Sequence, residues 1–397
     1  MGKRAAIDRV LHTFVTDDRD VANASREGLD RVAAKYAKIR RSPYKLLRAT
    51  NATFIADVEG LPEFWRMPGH EIAGALLGDA HPENFGAVGD SAATAQIDCT
   101  DFDVVACGPL ARDLARAACG FAVAEDQRLP KDREDDKALA HALEEGPSEQ
   151  ALARVRLLAM TWVERLVTGQ GGLPDAAAFA EHLAAVDTPL GEVTLGESTH
   201  VVAEHPGTDG IIAALGSYSD NTPAVRGARV IKAWLLHGKG ASSFCVDRVI
   251  LRLALAEGRA ASAERLVEWK PQPDAPSVRQ AFVERRQPAT VDPLLGLASV
   301  GGVGHVAQRW LCDAQKVKSK DLRGVYADNV ARLMGVRLAD LHRRFTPQIV
   351  DRVRSQPAAS IADALADLVA AAVPILRDEW RAFLSLSAAD LAKRVAG

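Results

Sequence analysis

The chain has 397 residues, with 49 Lys and Arg against 52 Asp and Glu, for a formal net charge of −3. Hydrophobic residues make up 48% and charged residues 25%, a mixture that excludes wholesale disorder, and without a Gly-X-Y period the chain is no collagen. At ~100–200 residues per domain the length asks for two or three domains or lobes, and without a basic excess no nucleic-acid partner is expected.

Residues 1–77 read mainly as helix. Ala22, Leu29, Val32, Ala33, Tyr36 and Ile39 recur at helical spacing, and Ser42-Pro43 opens a second helix as N-cap and first turn. From Ala73 to Gly108 short apolar runs alternate with Gly, Asp and Asn, the texture of buried strands joined by functional loops. Residues 109–225 are Ala- and Leu-rich and predict helices, interrupted by a charged stretch at Pro130 to Pro147 and a Gly-rich turn at Gly169 to Pro174. Residues 227–270 form a second strand-rich region. Residues 277–312 add a short helix and another strand, and from Asp321 onward the pattern is helical again. No apolar run approaches the ~18–20 residues that span a bilayer. The longest candidate, Leu365 to Leu376, carries Asp367 and Pro374 and reads as a buried helix. Neither a secretory nor a myristoylation signal is legible, and the five cysteines include no CxxC pair. These features predict a soluble cytoplasmic protein with reduced thiols and no membrane partner.

Chemistry concentrates in the two strand-rich regions. The loop Gly78-Asp-Ala-His-Pro-Glu-Asn84 crowds a carboxylate, an imidazole and an amide into a tight path, and Asp101-Phe-Asp103 follows on a strand end. One carboxylate can serve as a general base, while an amide oxygen and a second carboxylate suit Mg²⁺. Phosphoryl transfer to a hydroxyl divides labour in this way: Asp79 as the base, Asn84 and Asp101 as metal ligands, with Asp103 as a second candidate ligand. Asx turns and helix caps are the ordinary alternative for any one of these residues, and Asp98 reads as structural. Asp79-x-His81 also opens binuclear metallophosphatase sites, but the further His ligands such a site needs are missing, so His81 reads as a brace of the loop.

In the second region, the strand Ala228 to Leu236 runs into His237-Gly-Lys-Gly-Ala-Ser-Ser243, and strands at Phe244 to Leu255 and Glu264 to Lys270 follow. Gly238 and Gly240 would bring bare N–H groups to phosphate oxygens, with Ser242 and Ser243 adding hydroxyl donors. Lys270 ends the third strand as a compact positive charge for the α- and β-phosphates, and Glu284, on a helix from Ser277 to Arg286, would hold that lysine in place. An ordinary Gly-rich hairpin is the alternative. Val303 to Leu311 would lead into a hinge whose backbone around Cys312 to Ala314 faces adenine.

The order Asp, four residues, Asn, then Asp-Phe resembles the catalytic and metal loops of protein kinases, and most closely those of aminoglycoside and choline kinases. Leu77 departs from that pattern, which usually has His before Gly78. Asp113, in Gly108-Pro-Leu-Ala-Arg-Asp113, stands where those kinases have an Asp that braces the loop. Here the catalytic loop precedes the nucleotide-gripping hairpin, the reverse of kinase order, and a circular permutation reconciles the two. With Ser42-Pro-Tyr-Lys-Leu-Leu-Arg48 and Gly335-Val-Arg-Leu-Ala-Asp-Leu-His342, the chain resembles bacterial domain-of-unknown-function family 2252, although Pro271-Gln272 replaces the Glu-Ala expected after Lys270.

The resemblance implies an α+β fold, two-lobed and protein-kinase-like in circularly permuted order, with a largely helical large lobe. Residues 1–125 would carry the catalytic and metal loops, 126–226 a helical insertion, 227–313 the small nucleotide-gripping lobe, and 314–397 the C-terminal helices. The expected function is ATP- and Mg²⁺-dependent transfer of phosphate to the hydroxyl of an unidentified small molecule or protein. Nucleotide binding without turnover and AMP transfer are the alternatives.

Overall fold

The computed structural model describes residues 7, 11, 18, 22–102, 104–126, 146–172, 174–187, 202–204, 208–236, 248–256, 264–271 and 292–396. They form a mixed α+β structure with two main hydrophobic clusters.

The larger cluster is helical. Helices α1 (Arg26–Ile39), α2 (Pro43–Ala49) and α3 (Asn51–Glu59) begin it. Ser25 caps α1 by accepting from Gly28 N–H at 3.0 Å, and Ser42 caps α2 by accepting from Lys45 N–H at 3.2 Å, with Pro43 in the first turn as the sequence predicts. Two short antiparallel ribbons follow. Strand β1 (Ala73–Leu76) pairs with β4 (Ala106–Pro109), and β2 (Phe85–Val88) pairs with β3 (Gln96–Cys99). Helix α4 (Ala111–Asp126) is buried along almost its whole length. It packs beside α5 (Glu149–Thr168), which ends on Gly169 in the left-handed conformation (φ 72°). The short α6 (Ala180–Ala184) precedes the sheet region.

The second cluster is a six-stranded sheet in the order β5-β6-β7-β8-β10-β9, antiparallel throughout. Its strands are β5 (Val202–Glu204), β6 (Arg229–Leu236), β7 (Arg248–Ala254), β8 (Glu264–Pro271), β9 (Gly296–Val300) and β10 (Val303–Arg309). Helix α7 (Thr208–Asn221) covers one face, where Ile211, Ala214 and Tyr218 bury Leu251, Val267 and Trp269. The Tyr218 and Trp269 rings meet edge to face at 5.7 Å. Because side chains alternate along a strand, Leu266, Glu268 and Lys270 share the opposite face with Arg248 and Ile250 of β7. One row of this sheet is therefore polar, and it faces the helical part of the molecule. The strand β5 falls in a region predicted as helical; three residues are too few to display an alternation.

The C-terminal helices are α8 (Gly324–Phe345), α9 (Ile349–Arg354), α10 (Ala358–Leu384) and α11 (Ala388–Ala396). Helix α10 departs from expectation. At 27 residues, with a window of mean hydropathy 1.8, it is long and apolar enough to cross a membrane, because Asp367 and Pro374 interrupt the run without lowering its average much. Half of that window is buried inside the fold, where Leu365, Val369, Leu376 and Trp380 join the helical cluster.

Candidate active site

Strand β1 delivers the chain to Gly78, whose φ of +84° and close approach to the Val104 carbonyl (2.0 Å from a would-be Cβ) admit only glycine. Asp113, buried near the start of α4, accepts from the backbone N–H groups of Leu77 (2.7 Å) and Gly78 (2.9 Å). Behind it, His342 Nε2 lies 3.4 Å from Asp113 Oδ2, and Trp162 Nε1 donates to His342 Nδ1 at 3.2 Å. A buried relay from α5 through α8 thus fixes the loop entrance, and Asp113 sits where the sequence places a brace. The loop then closes on itself: His81 N–H (2.9 Å) and Asn84 Nδ2 (2.8 Å) both donate to the Asp79 carbonyl. With its nitrogen so occupied, Asn84 Oδ1 accepts no hydrogen bond from the described residues.

Asp79 is nearly buried, and Arg116 holds it: Nε donates to Oδ1 at 2.8 Å, and the next turn of contact is Arg116 Nη2 to the Leu47 carbonyl at 2.7 Å. Burial alone would raise the Asp79 pKa; the Arg116 guanidinium, with His81, overcomes it and keeps the carboxyl far below the usual carboxylate range. Burial likewise depresses the His81 pKa, against the pull of the Asp79 carboxylate. Its Nε2 accepts from Arg48 Nε at 3.1 Å, which assigns the proton to Nδ1, 3.3 Å from the Tyr44 hydroxyl. Asp79 Oδ2 lies 3.4 Å from the same Nε2. Arg48 also pairs with Glu83, which in turn accepts from the Ser319 hydroxyl at 2.6 Å, tying the loop to the segment that follows the sheet.

A second link across the molecule is at the polar face of the sheet. Lys270 Nζ donates to Asp101 Oδ1 at 2.6 Å, across 169 positions of sequence. Burial raises the Asp101 pKa, but the Lys270 ammonium more than offsets it and the carboxyl stays ionised below its ordinary value. Beside them Arg248 Nη1 donates to Glu268 Oε1 at 2.6 Å, and Gln308 Nε2 to Glu268 Oε2 at 3.3 Å. Lys316 enters from the other side. Its backbone bridges Gly86, its ammonium feels Glu268, Asp101, Lys270 and Arg248, and that ammonium forms no ion pair with a described residue. Asp98 accepts from Cys99 N–H at 2.8 Å and lies 3.8 Å from Arg337, in keeping with the structural role read for it.

Four of the predicted site residues are thus placed: Asp79 and Asn84 in one loop, Asp101 and Lys270 in one ion pair. Asp103, Gly238, Gly240, Ser242, Ser243 and Glu284 lie outside the described residues. The expected hinge differs in detail. Cys312 N–H donates to Gln315 Oε1 (3.0 Å), and the Ala314 carbonyl lies 2.7 Å from His182 Nδ1. These two groups are therefore engaged within the chain rather than open to a base. Sequence reasoning missed Arg116, although it stands three residues after Asp113 on the same helix and so one turn along the same face. It also missed Lys316, which no motif announces.

Among the described residues no three His, Cys, Asp or Glu side chains converge as an all-protein metal cage. A Mg²⁺ carried with nucleotide phosphates asks for less, one or two carboxylates and an amide, which Asp101 and Asn84 fit.

Residues 29–147 match the family described as "Uncharacterized protein conserved in bacteria (DUF2252)", and the family resemblance seen in the sequence is supported over that span. The matched segment holds the whole Asp79–Asn84 loop, Asp101, Asp113 and Arg116, while Lys270 and the sheet lie beyond it. No curated protein and no solved structure matches the chain.

Proposed function

We propose that this protein is an ATP- and Mg²⁺-dependent phosphotransferase acting on a hydroxyl acceptor, with a protein-kinase-like fold in circularly permuted order. The observation that carries the proposal is the Lys270–Asp101 ion pair at 2.6 Å, formed between a sheet strand and the end of the ribbon beside the Asp79 loop. In this proposal the ammonium and the carboxylate, which rest against each other, separate around a phosphate chain. In this reading Lys270 takes the nucleotide phosphates, Asp101 Oδ2 and Asn84 Oδ1 hold the metal, and Gly238 to Ser243 cover the nucleotide. Bound Mg²⁺ would supply positive charge against the charge that develops on transfer.

Asp79 Oδ2 would orient the acceptor hydroxyl and receive its proton. Arg116 keeps the carboxylate a weak base, so its contribution is orientation first and proton acceptance late, as the oxygen–phosphorus bond forms. That division suits a loose transition state, which needs little deprotonation of the nucleophile in advance.

Incubation of the full chain with a metabolite extract and ATP labelled at the α- or γ-phosphate tests the reaction. Movement of the γ-label to an acceptor, with the α-label left in ADP, is expected. Asp79→Asn should lower that rate ~10²–10⁴-fold, the usual worth of a positioned base. Transfer of the α-label would mean AMP transfer instead. Stabilisation by Mg-ATP with neither label moving would leave a nucleotide-binding regulator.

A further inference from the structure

The polar row on the sheet contains a group that the fold leaves unmet. Gln308 on β10 stands opposite Glu268 of β8, on the face that also carries Lys270. Its Nε2 donates to Glu268 Oε2 at 3.3 Å, while Glu268 Oε1 accepts from Arg248 Nη1 at 2.6 Å. An ionised carboxylate only accepts, so the amide nitrogen must face Glu268 and the amide oxygen must point away from it. Gln308 is 4% exposed, and that oxygen, Oε1, is buried and accepts no hydrogen bond. A buried acceptor left unmet is destabilising and calls for a donor.

The surroundings of Oε1 indicate what would bring that donor. Across the sheet from Glu268 is Ile250, which joins Leu236, Leu266 and the half-buried Trp234 and Trp310 in a small apolar cluster apart from the two main ones. Along β8, Leu266, Glu268 and Lys270 follow at steps of ~7 Å as apolar, polar and cationic positions of one face. Trp310 N–H donates to the Leu266 carbonyl at 3.0 Å, so the apolar end lies toward the chain that leaves the sheet. There the Cys312 N–H and the Ala314 carbonyl are already engaged by Gln315 and His182, which leaves the reading of a base to a side chain. Resting on the phosphotransferase reading, we propose that Gln308 selects the nucleotide: Oε1 accepts from the exocyclic amino group of the base, which lies against Ile250, Leu266 and Trp310 while its phosphates reach Lys270. The parting of Lys270 from Asp101 that admits the phosphates uncovers this row as well. The ligand is then a nucleoside triphosphate whose base bears an amino group, as adenine does. A ribose hydroxyl also donates, but a ribose in this place would leave the apolar patch uncovered.

Calorimetric titration of the full chain with the Mg²⁺ complexes of ATP and of purine riboside triphosphate, which has hydrogen in place of the amino group, provides the test. Wild type should bind ATP about 10-fold more tightly, the usual worth of a hydrogen bond to a buried group. Gln308→Met is close in size and lacks the acceptor. It should bind the two within about 3-fold of each other, at the affinity wild type shows for the analogue. Equal affinities in wild type would overturn the proposal without need of the variant, and so would a preference for ATP that persists in Gln308→Met. Either result leaves the nucleotide reading standing. A wild-type chain that binds neither triphosphate in the presence of Mg²⁺ would remove that reading, and this proposal with it.

Discussion

Glu83 shows how much one carboxylate can organise. It receives Arg48, Lys45 and the Ser319 hydroxyl at once, and burial is outweighed so that its pKa falls to about 2. A carboxyl whose folded pKa lies below its unfolded value stabilises the fold fully above the unfolded pKa, here 4.5. That stability fades as pH falls through about 2. The contribution is roughly 1–3 kcal/mol, less than the shift alone implies because the group retains some solvent contact. Glu83→Gln should therefore be less stable than wild type by that amount at pH 5 in denaturant titrations, with the gap narrowing below about pH 4 and closing only below about pH 2. A gap that persists unchanged at low pH would mean that shape, not charge, is what Glu83 supplies.

At this scale the site was half legible. Asp79, Asn84 and Asp101 announce themselves because their types and spacing are rare outside metal and phosphate chemistry, and His81 is the loop brace it was read to be. Arg116 and Lys316 were silent. An arginine on a helix is unremarkable until its helix is known to run under the loop, and a lone lysine carries no pattern at all.

Among the elements, α5 and α8 approach each other closely at Gly335. A Cβ on Gly335 would stand 2.6 Å from the Leu158 carbonyl and 3.1 Å from Trp162 N and Thr161 Cβ. Gly335→Ala sets two effects against each other. Helix propensity favours alanine by about 1 kcal/mol, while forcing apart a packed pair of helices costs about 1–3 kcal/mol. Two of the three nearest atoms are backbone and cannot rotate away, so the variant should unfold at lower denaturant than wild type. An unchanged or raised midpoint would show that α8 shifts freely. The Ser42 cap and the strand at Glu264 to Lys270 were readable because each rests on local side-chain chemistry. Strand β9 and the fold-back of the backbone at Cys312 to Gln315 were not, since pairing partners and 3₁₀ turns depend on what the rest of the chain supplies.

For the whole molecule, the chain order of the parts was legible and their meeting was not. The sequence shows the Asp79–Asn84 loop before a Gly-rich segment and a strand that carries Lys270 near its end. Only the folded chain puts that lysine on Asp101. The claim at stake is that Lys270 and Asp101 serve one Mg-nucleotide. Thermal or denaturant unfolding with ATP, with and without Mg²⁺, tests it most directly. At ~100 times the dissociation constant, Mg-ATP should stabilise wild type by ~2.7 kcal/mol. ATP without Mg²⁺ should do much less, and Asp101→Asn should lose most of the Mg²⁺-dependent gain while its apo form stays folded. Wild-type protein that unfolds identically with and without Mg-ATP would contradict the account.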